Sequence, residues 1–517
     1  MKLFALLTLL ISMLMPQGLV AATLHIQVVD EAGKPSWERI EVRRAGGQMY
    51  QCPDALRDHL SGTSGMQPFY SGSFIVQGDC QVEVPPGHYL VVGMHGTEYV
   101  RVEKAVTVRA DGVTNVTMVL HRWVNMRRLG WWSADMHVHR PPADVEKAIL
   151  AEDLNFAPII TGWGGSSDQF QMGDVYASEG KSQFAVDDQH RVSSRNWEDE
   201  RGPGAWLFFQ LLRPLEGLEK DKATRWWPTG LSVVEQVRGQ HAPGSIFPWI
   251  DTEKPFWWEV PVVMALAPSD SMEILPNHIT EYGLEAGEAW GRPFTQGYLN
   301  REGWMDDVLG LYYRYLNLGI HVAPTAGSAS GVLPNPIGFN RVYANFSGPF
   351  TVQKFFEAVR DGHSFVTNGP MLFFEVKSEG KLMRATVEAH AGEPLDRVEI
   401  VADGEVIEWY PVRPAQNDFQ ADFTFDPNKY SWIAARCYLP GGDTLRLAHS
   451  SPYYLPGHHD CRDDAKYYVD WMNDLIQQAK TDPKRIGPAD QQQQRIEIYS
   501  KALTFYQQKM DQGCGGH

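Results

Sequence analysis

Trp131-Trp132-Ser133-Ala134-Asp135-Met136-His137-Val138-His139-Arg140 is the stretch on which the reading of this chain turns. In an extended segment alternate side chains share a face, so His137 and His139 offer two imidazoles to one side while Met136 and Val138 enter the layer beneath. Imidazole is the commonest protein metal ligand, and two of them at the mouth of a strand predict a cation site. A bare His-x-His also occurs on ordinary half-buried strands. The surroundings therefore decide.

Downstream of Trp131, strand-like runs alternate with helix-like ones. Residues 144–152 carry Val145, Ala148 and Ile149 at helical spacing, and 156–161 then read as a buried strand. Helices are predicted at 233–240, 305–318 and 351–360, and strands at 245–251 and at Ser271-Met272-Glu273-Ile274-Leu275. This order predicts a parallel, barrel-like α/β domain over 125–370, in which ligands gather at the carboxyl ends of strands. His139, Thr161, Asp251 and His278 fall at such ends.

The flanks differ. Alternation at 24–28 and 80–84, and Val106 and Val108 facing Val116, Met118 and Leu120, predict a small β-sandwich over 23–124. Its phrase Val84-Pro85-Pro86-Gly87-His88-Tyr89 resembles the closing strand of transthyretin-like and carboxypeptidase-regulatory-like modules. A second β-sandwich is expected over 371–455. Residues 456–517 read as a helical hairpin and tail, with Tyr468, Trp471, Met472 and Leu475, then Ile496, Tyr499, Leu503 and Tyr506, at helical spacing. The expected architecture is multidomain, as 517 residues require.

A net charge of -17 with no block of Lys and Arg excludes nucleic acid and anionic membrane as natural partners. Lys2, the apolar run 3–15, Pro16, Gly18 and Ala21-Ala22 read as a signal peptide over 1–22, cleaved after Ala22. That run is shorter than the ~20 residues of a membrane span, which predicts a periplasmic or extracellular protein without a transmembrane anchor. An uncleaved anchor is the rival. Five cysteines suit an oxidising compartment. Cys52 with Cys80 and Cys437 with Cys461 are the expected local disulfides, Cys514 the spare thiol, although other pairings are open. Twelve of the seventeen tryptophans fall between 131 and 370. Trp163, Trp249, Trp257 and Trp258 lie near proposed strand ends, where they either wall a pocket for an aromatic or sugar-ring small molecule or fill the core.

Three phrases together resemble the carbaryl-hydrolase-like (CehA/McbA) branch of the PHP, or polymerase and histidinol phosphatase, superfamily. They are Trp132 to Arg140; Asp251-Thr252-Glu253-Lys254-Pro255-Phe256-Trp257-Trp258; and Pro324-Thr325-Ala326-Gly327-Ser328-Ala329-Ser330-Gly331 with its continuation to Pro370. The resemblance covers the middle domain and implies a distorted seven-stranded barrel holding Zn, Mn or Fe, which activates water to cleave ester-, carbamate- or amide-like bonds, or phosphate esters. Asp135, His137 and His139 match the first family motif in full. Where relatives carry Thr-Asp-His this chain has Thr161-Gly162-Trp163, and Gly327-Ser328-Ala329-Ser330-Gly331 replaces the closing Gly-Ser-Asp-Ala-His. Such losses leave room for one or two ions rather than a full cluster. A non-catalytic binding protein is the reading from another class.

The resemblance makes His137, His139, Glu198, Asp251 and His278 the candidate ligands, with Glu198 where relatives place a bridging glutamate, although Asp199 or Glu200 could fill that place. Three or four His and carboxylate donors suffice for a catalytic divalent ion, which lowers the pKa of water to about 7. Asp135 is expected to orient a histidine through its second ring nitrogen. Arg140 and Lys254 are candidates to polarise a substrate oxygen. Each has a plainer rival: a loop histidine at His278, an Asp251–Lys254 ion pair, a solvated charge run around Glu198. Oligomeric state is not legible.

Overall fold

Seven neighbouring strands organise the centre: Ala323–Ala326, Ser271–Leu275, Trp249–Thr252, Gly204–Phe209, Arg191–Arg201, Phe156–Gly164 and Trp131–Ala134. The computed structural model describes residues 22–514 apart from 54, 58–71, 111, 165–182, 219–225, 286–291, 293–300, 334, 443 and 486. The signal-peptide segment thus lies outside the described residues up to Ala21. Over the described residues the protein is a mixed α/β structure with seven α-helices and several sheets.

Pairing along the central run is parallel except at Gly204–Phe209, which is antiparallel to both neighbours. The expectation of a parallel domain missed this strand and its partner Arg191–Arg201, because 196–201 reads as a charged surface. Inside the sheet two of these charges pair: Arg201 Nη2 donates to Asp199 Oδ2 at 2.7 Å and Nε to Oδ1 at 2.5 Å. The two outer strands of the run also meet. Met136 N donates to Ala326 O at 3.1 Å and His139 N to Ser330 O at 2.9 Å, and Val138 bridges both Ile159 and Ser330. The histidine-bearing segment is therefore an extended continuation of Trp131–Ala134 held on both sides.

Helices cover this run. Val352–Arg360 begins at Thr351, whose hydroxyl accepts from Lys354 N at 3.1 Å, and it buries Phe355, Phe356 and Val359. Phe356 packs on Trp249 with centroids 5.0 Å apart, so Trp249 belongs to the core and not to a pocket wall. Gly230–Arg238, Val260–Leu266 and Arg301–Asn317 contribute Val234, Val263 and Tyr312 to the same core. The second of these escaped sequence reading because Val-Pro-Val-Val-Met-Ala-Leu is apolar all round and shows no period.

On the amino-terminal side, Ala22–Val29 pairs in parallel with Val113–Val119 and antiparallel with Asp79–Val84. Its Leu24, Ile26 and Val28 face Ile40, Val42 and Val91 of the second sheet, a sandwich core. Arg39 ties this unit to the centre, reaching Glu152 at 2.5 Å and Glu281 at 3.0 Å. Neighbouring Glu38 is fully buried and neither of its oxygens has a hydrogen-bond partner.

The sheet does not stop at residue 370. Beyond Trp131–Ala134 it passes through Arg341–Asn345 and Ser364–Thr367, and Phe365 pairs with Ser450 to lead into Leu447–Ser450, Trp432–Tyr438 and Arg397–Ala402. A three-stranded sheet of Met371–Glu379, Leu382–His390 and Asp418–Phe425 packs on it through Ala385 and Val387. The helices Arg462–Thr481 and Ala489–Gln512 form the hairpin and grip the centre by side chain-to-backbone bonds: Tyr468 Oη to Leu311 O at 3.0 Å and Tyr506 Oη to Pro261 O at 2.7 Å. Among the described residues no helix is long and apolar enough to cross a membrane.

The expected Cys437–Cys461 pairing and the spare thiol at Cys514 are corrected, whereas Cys52 and Cys80 do lie side by side, as thiols and not as a disulfide. The disulfide joins Cys461 to Cys514, while Cys52, Cys80 and Cys437 are buried thiols. Antiparallel helices return the chain to its starting point, so cysteines 53 positions apart become neighbours with Cα atoms 5.9 Å apart. Cys437 lies in the strand Trp432–Tyr438, within the core of the carboxyl-terminal sheets.

Candidate metal centre

His137 Nε2 and His139 Nε2 stand 2.9 Å apart. Two nitrogens each ~2.0–2.1 Å from one ion are separated by roughly 3 Å, so this spacing suits chelation. Glu198 comes from the strand two places along the sheet; its Oε2 lies 3.0 Å from His139 Nε2 and its Oε1 3.6 Å from His137 Nε2. The donor atoms of His137, His139 and Glu198 lie within 4.8 Å of one another, as do those of Glu198, Glu200 and Glu253, so these buried clusters could hold a metal ion.

A further carboxylate closes the floor. Glu273 Oε1 is 3.6 Å from His137 Nδ1, and Glu253 Oε1 3.7 Å. Both residues went unassigned in the sequence, although a glutamate inside the wholly buried strand Ser271–Leu275 is itself a signal, because an unpaired charge there is costly. The approach of Glu273 to His137 depends on Gly327: a methyl group in its place would collide with Glu273 Oε1 and His137 Cβ.

The remaining candidates are placed differently. Asp135 accepts from the backbone N–H groups of His137 at 3.0 Å, Ser328 at 3.0 Å and Gly338 at 2.7 Å. The expectation that it orients an imidazole is corrected: it fixes the backbone, and with it the direction of both histidines. Asp251 stands outside both donor sets; its two oxygens accept from Thr325 Oγ1 at 2.8 and 2.9 Å. His278 is also outside them, stacked on Trp304 with centroids 5.7 Å apart and edge-on to Phe256. Arg140 is buried and donates from Nε to Ser330 Oγ at 2.8 Å, anchoring the loop after the last strand. Lys254 pairs with Glu253 rather than Asp251. Trp163 is half-buried with its ring 5.0 Å from that of His139, which puts it beside the donors, and its Nε1 donates to Glu200 Oε2 at 2.9 Å.

The electrostatics follow from this crowding. Burial works against an imidazolium at His137, but the Glu198 and Glu273 carboxylates outweigh it and hold its pKa well above the usual imidazole value. Burial also opposes ionisation of Glu198, yet the two imidazoles keep its carboxyl well below the ordinary range. Burial pushes Glu273 up to about 7. Burial, reinforced by Glu198 and Glu253, drives Glu200 well upward. Several buried atoms of the cluster lack any hydrogen-bond partner: His137 Nδ1, Glu198 Oε2 and both oxygens of Glu273. Buried polar atoms are seldom left so: Glu198 Oε2 faces the two Nε2 atoms, where a cation would complete it, while His137 Nδ1 and Glu273 face one another on the other side of the ring. Comparison of the chain with family models, curated proteins and solved structures finds no match.

Proposed function

We propose that this protein is a metal-dependent hydrolase of the PHP type, acting on ester-, carbamate- or amide-like bonds of a small molecule and, from its amino-terminal segment, exported to the periplasm or beyond. The observation that carries the reading is the His137–His139–Glu198 cluster, whose donors are buried, convergent and only partly satisfied. The ring made by Met136–Ala326 and Val138–Ser330 contacts around seven strands supports the family resemblance.

His137, His139 and Glu198 would hold the ion. A divalent metal there supplies Lewis acidity and activates water at neutral pH. Trp163 offers an aromatic wall against which a flat substrate group can rest. Glu273, whose Oε1 lies 3.6 Å from His137 Nδ1, is placed to accept a proton from that ring.

The test is elemental analysis of purified protein together with hydrolysis of a panel of aryl carbamates, carboxyl esters, amides and phosphate esters, with and without chelator. Bound metal and chelator-sensitive turnover of the carbon-centred substrates, both lost in His137→Ala, are expected. Turnover of phosphate esters alone would reassign the substrate class. Metal-free protein, or turnover unchanged in His137→Ala, would overturn the reading.

A further inference from the structure

We infer that the Lys254 ammonium occupies the place of a second cation, so that the donor array takes one divalent ion, at His137, His139 and Glu198. This rests on the metal-centre reading above.

Two donor sets share Glu198. One is rich in nitrogen; the other consists of the carboxylates of Glu198, Glu200 and Glu253. Three convergent carboxylates suit a hard divalent ion, and by residue type alone the second set reads as a second site. Lys254 reverses that reading. It is 3 % exposed, follows Glu253 directly in the chain, and its Nζ bonds Glu253 Oε1. The same ammonium lies 5.0 Å over the Trp257 ring, so its side chain is held between an anion and an aromatic face.

The hydrogen-bond accounting is uneven in the same sense. Glu253 Oε1 also accepts from Asn277 Nδ2 at 3.1 Å and Oε2 from Trp257 Nε1 at 3.2 Å, while Glu200 accepts from Trp163. The buried atoms of the cluster without a partner belong to His137, Glu198 and Glu273; neither Glu200 nor Glu253 contributes one. The protein's own donors thus occupy the Glu253 end of the acidic set, and the unpartnered carboxylate oxygen that remains between the two sets, Glu198 Oε2, is the one shared with the histidines. A divalent ion bound to Glu253 would sit against the ammonium, and in a buried site that repulsion is weakly screened.

The experiment loads metal-free full-length protein with excess Mn(II), removes unbound metal and measures ions per chain by mass spectrometry, alongside the electron paramagnetic resonance spectrum. One ion per chain and the spectrum of an isolated Mn(II) are expected for the unmodified protein and for Lys254→Arg. Lys254→Met, which keeps the stem and removes the charge, is expected to take up a second ion and show exchange coupling. Two coupled ions in the unmodified protein would overturn the inference while leaving the metal centre standing. No bound ion would overturn both. A single ion in folded Lys254→Met would also overturn it, and if that variant fails to fold, the spectrum of the unmodified protein decides.

Discussion

Glu38 is buried beside Glu152 without a hydrogen-bond partner, and burial, then that neighbour, pushes its carboxyl up to about 8. Folded protein therefore holds a proton that the unfolded chain releases near the ordinary carboxyl range. Its stability is fully present below that range and falls as pH rises towards about 8. Glu38→Gln should raise the melting temperature at pH near 9 and change it little at pH near 4, a difference of a few kcal/mol by calorimetry. At the site, Gly327→Ala should lower metal affinity at least tenfold in a chelator competition, because the added methyl displaces His137 or Glu273. The histidine pair was legible in the sequence because two-residue spacing is a pattern. Glu273 and Glu253 were not, because a lone carboxylate contributes no period and the imidazole that both approach, His137, comes from a distant part of the chain.

Elements were legible wherever one face is buried. The helix at Val352–Arg360 agrees closely with its expected span because its apolar stripe and Thr351 cap coincide. Thr351→Ala should cost about 1 kcal/mol, measured by denaturant unfolding. The strand Arg191–Arg201 was hidden by charges, two of which pair inside the sheet, whereas Gly204–Phe209 is apolar throughout and shows no alternation. The hairpin was legible from helical spacing, but the bond closing it was not, since pairing depends on where helices return. Cys514→Ser removes a cross-link spanning 53 positions and should destabilise the protein by about 4 kcal/mol on the chain-entropy model. Hydrogen exchange should locate the loss in Arg462–Thr481 and Ala489–Gln512.

For the whole molecule, the expected order of a sandwich, an α/β centre, further strands and a hairpin could be read from changes in period along the chain. The continuity of the sheet across residue 370 could not, because the pairing of Phe365 with Ser450 leaves no local trace. Centre and carboxyl-terminal strands should therefore melt in one calorimetric transition, and a chain ending at residue 370 should fail to fold. The clamp at Asp135 has a consequence for how the protein matures. Its carboxylate joins His137 to Ser328, partners 193 residues apart from Asp135 to the serine, so the imidazoles take their final direction only after nearly two hundred residues have emerged and closed the ring. If the proposed ion is bound, its uptake belongs to the end of biogenesis, and a nascent chain halted before Ser328 should hold it far more weakly than the finished protein.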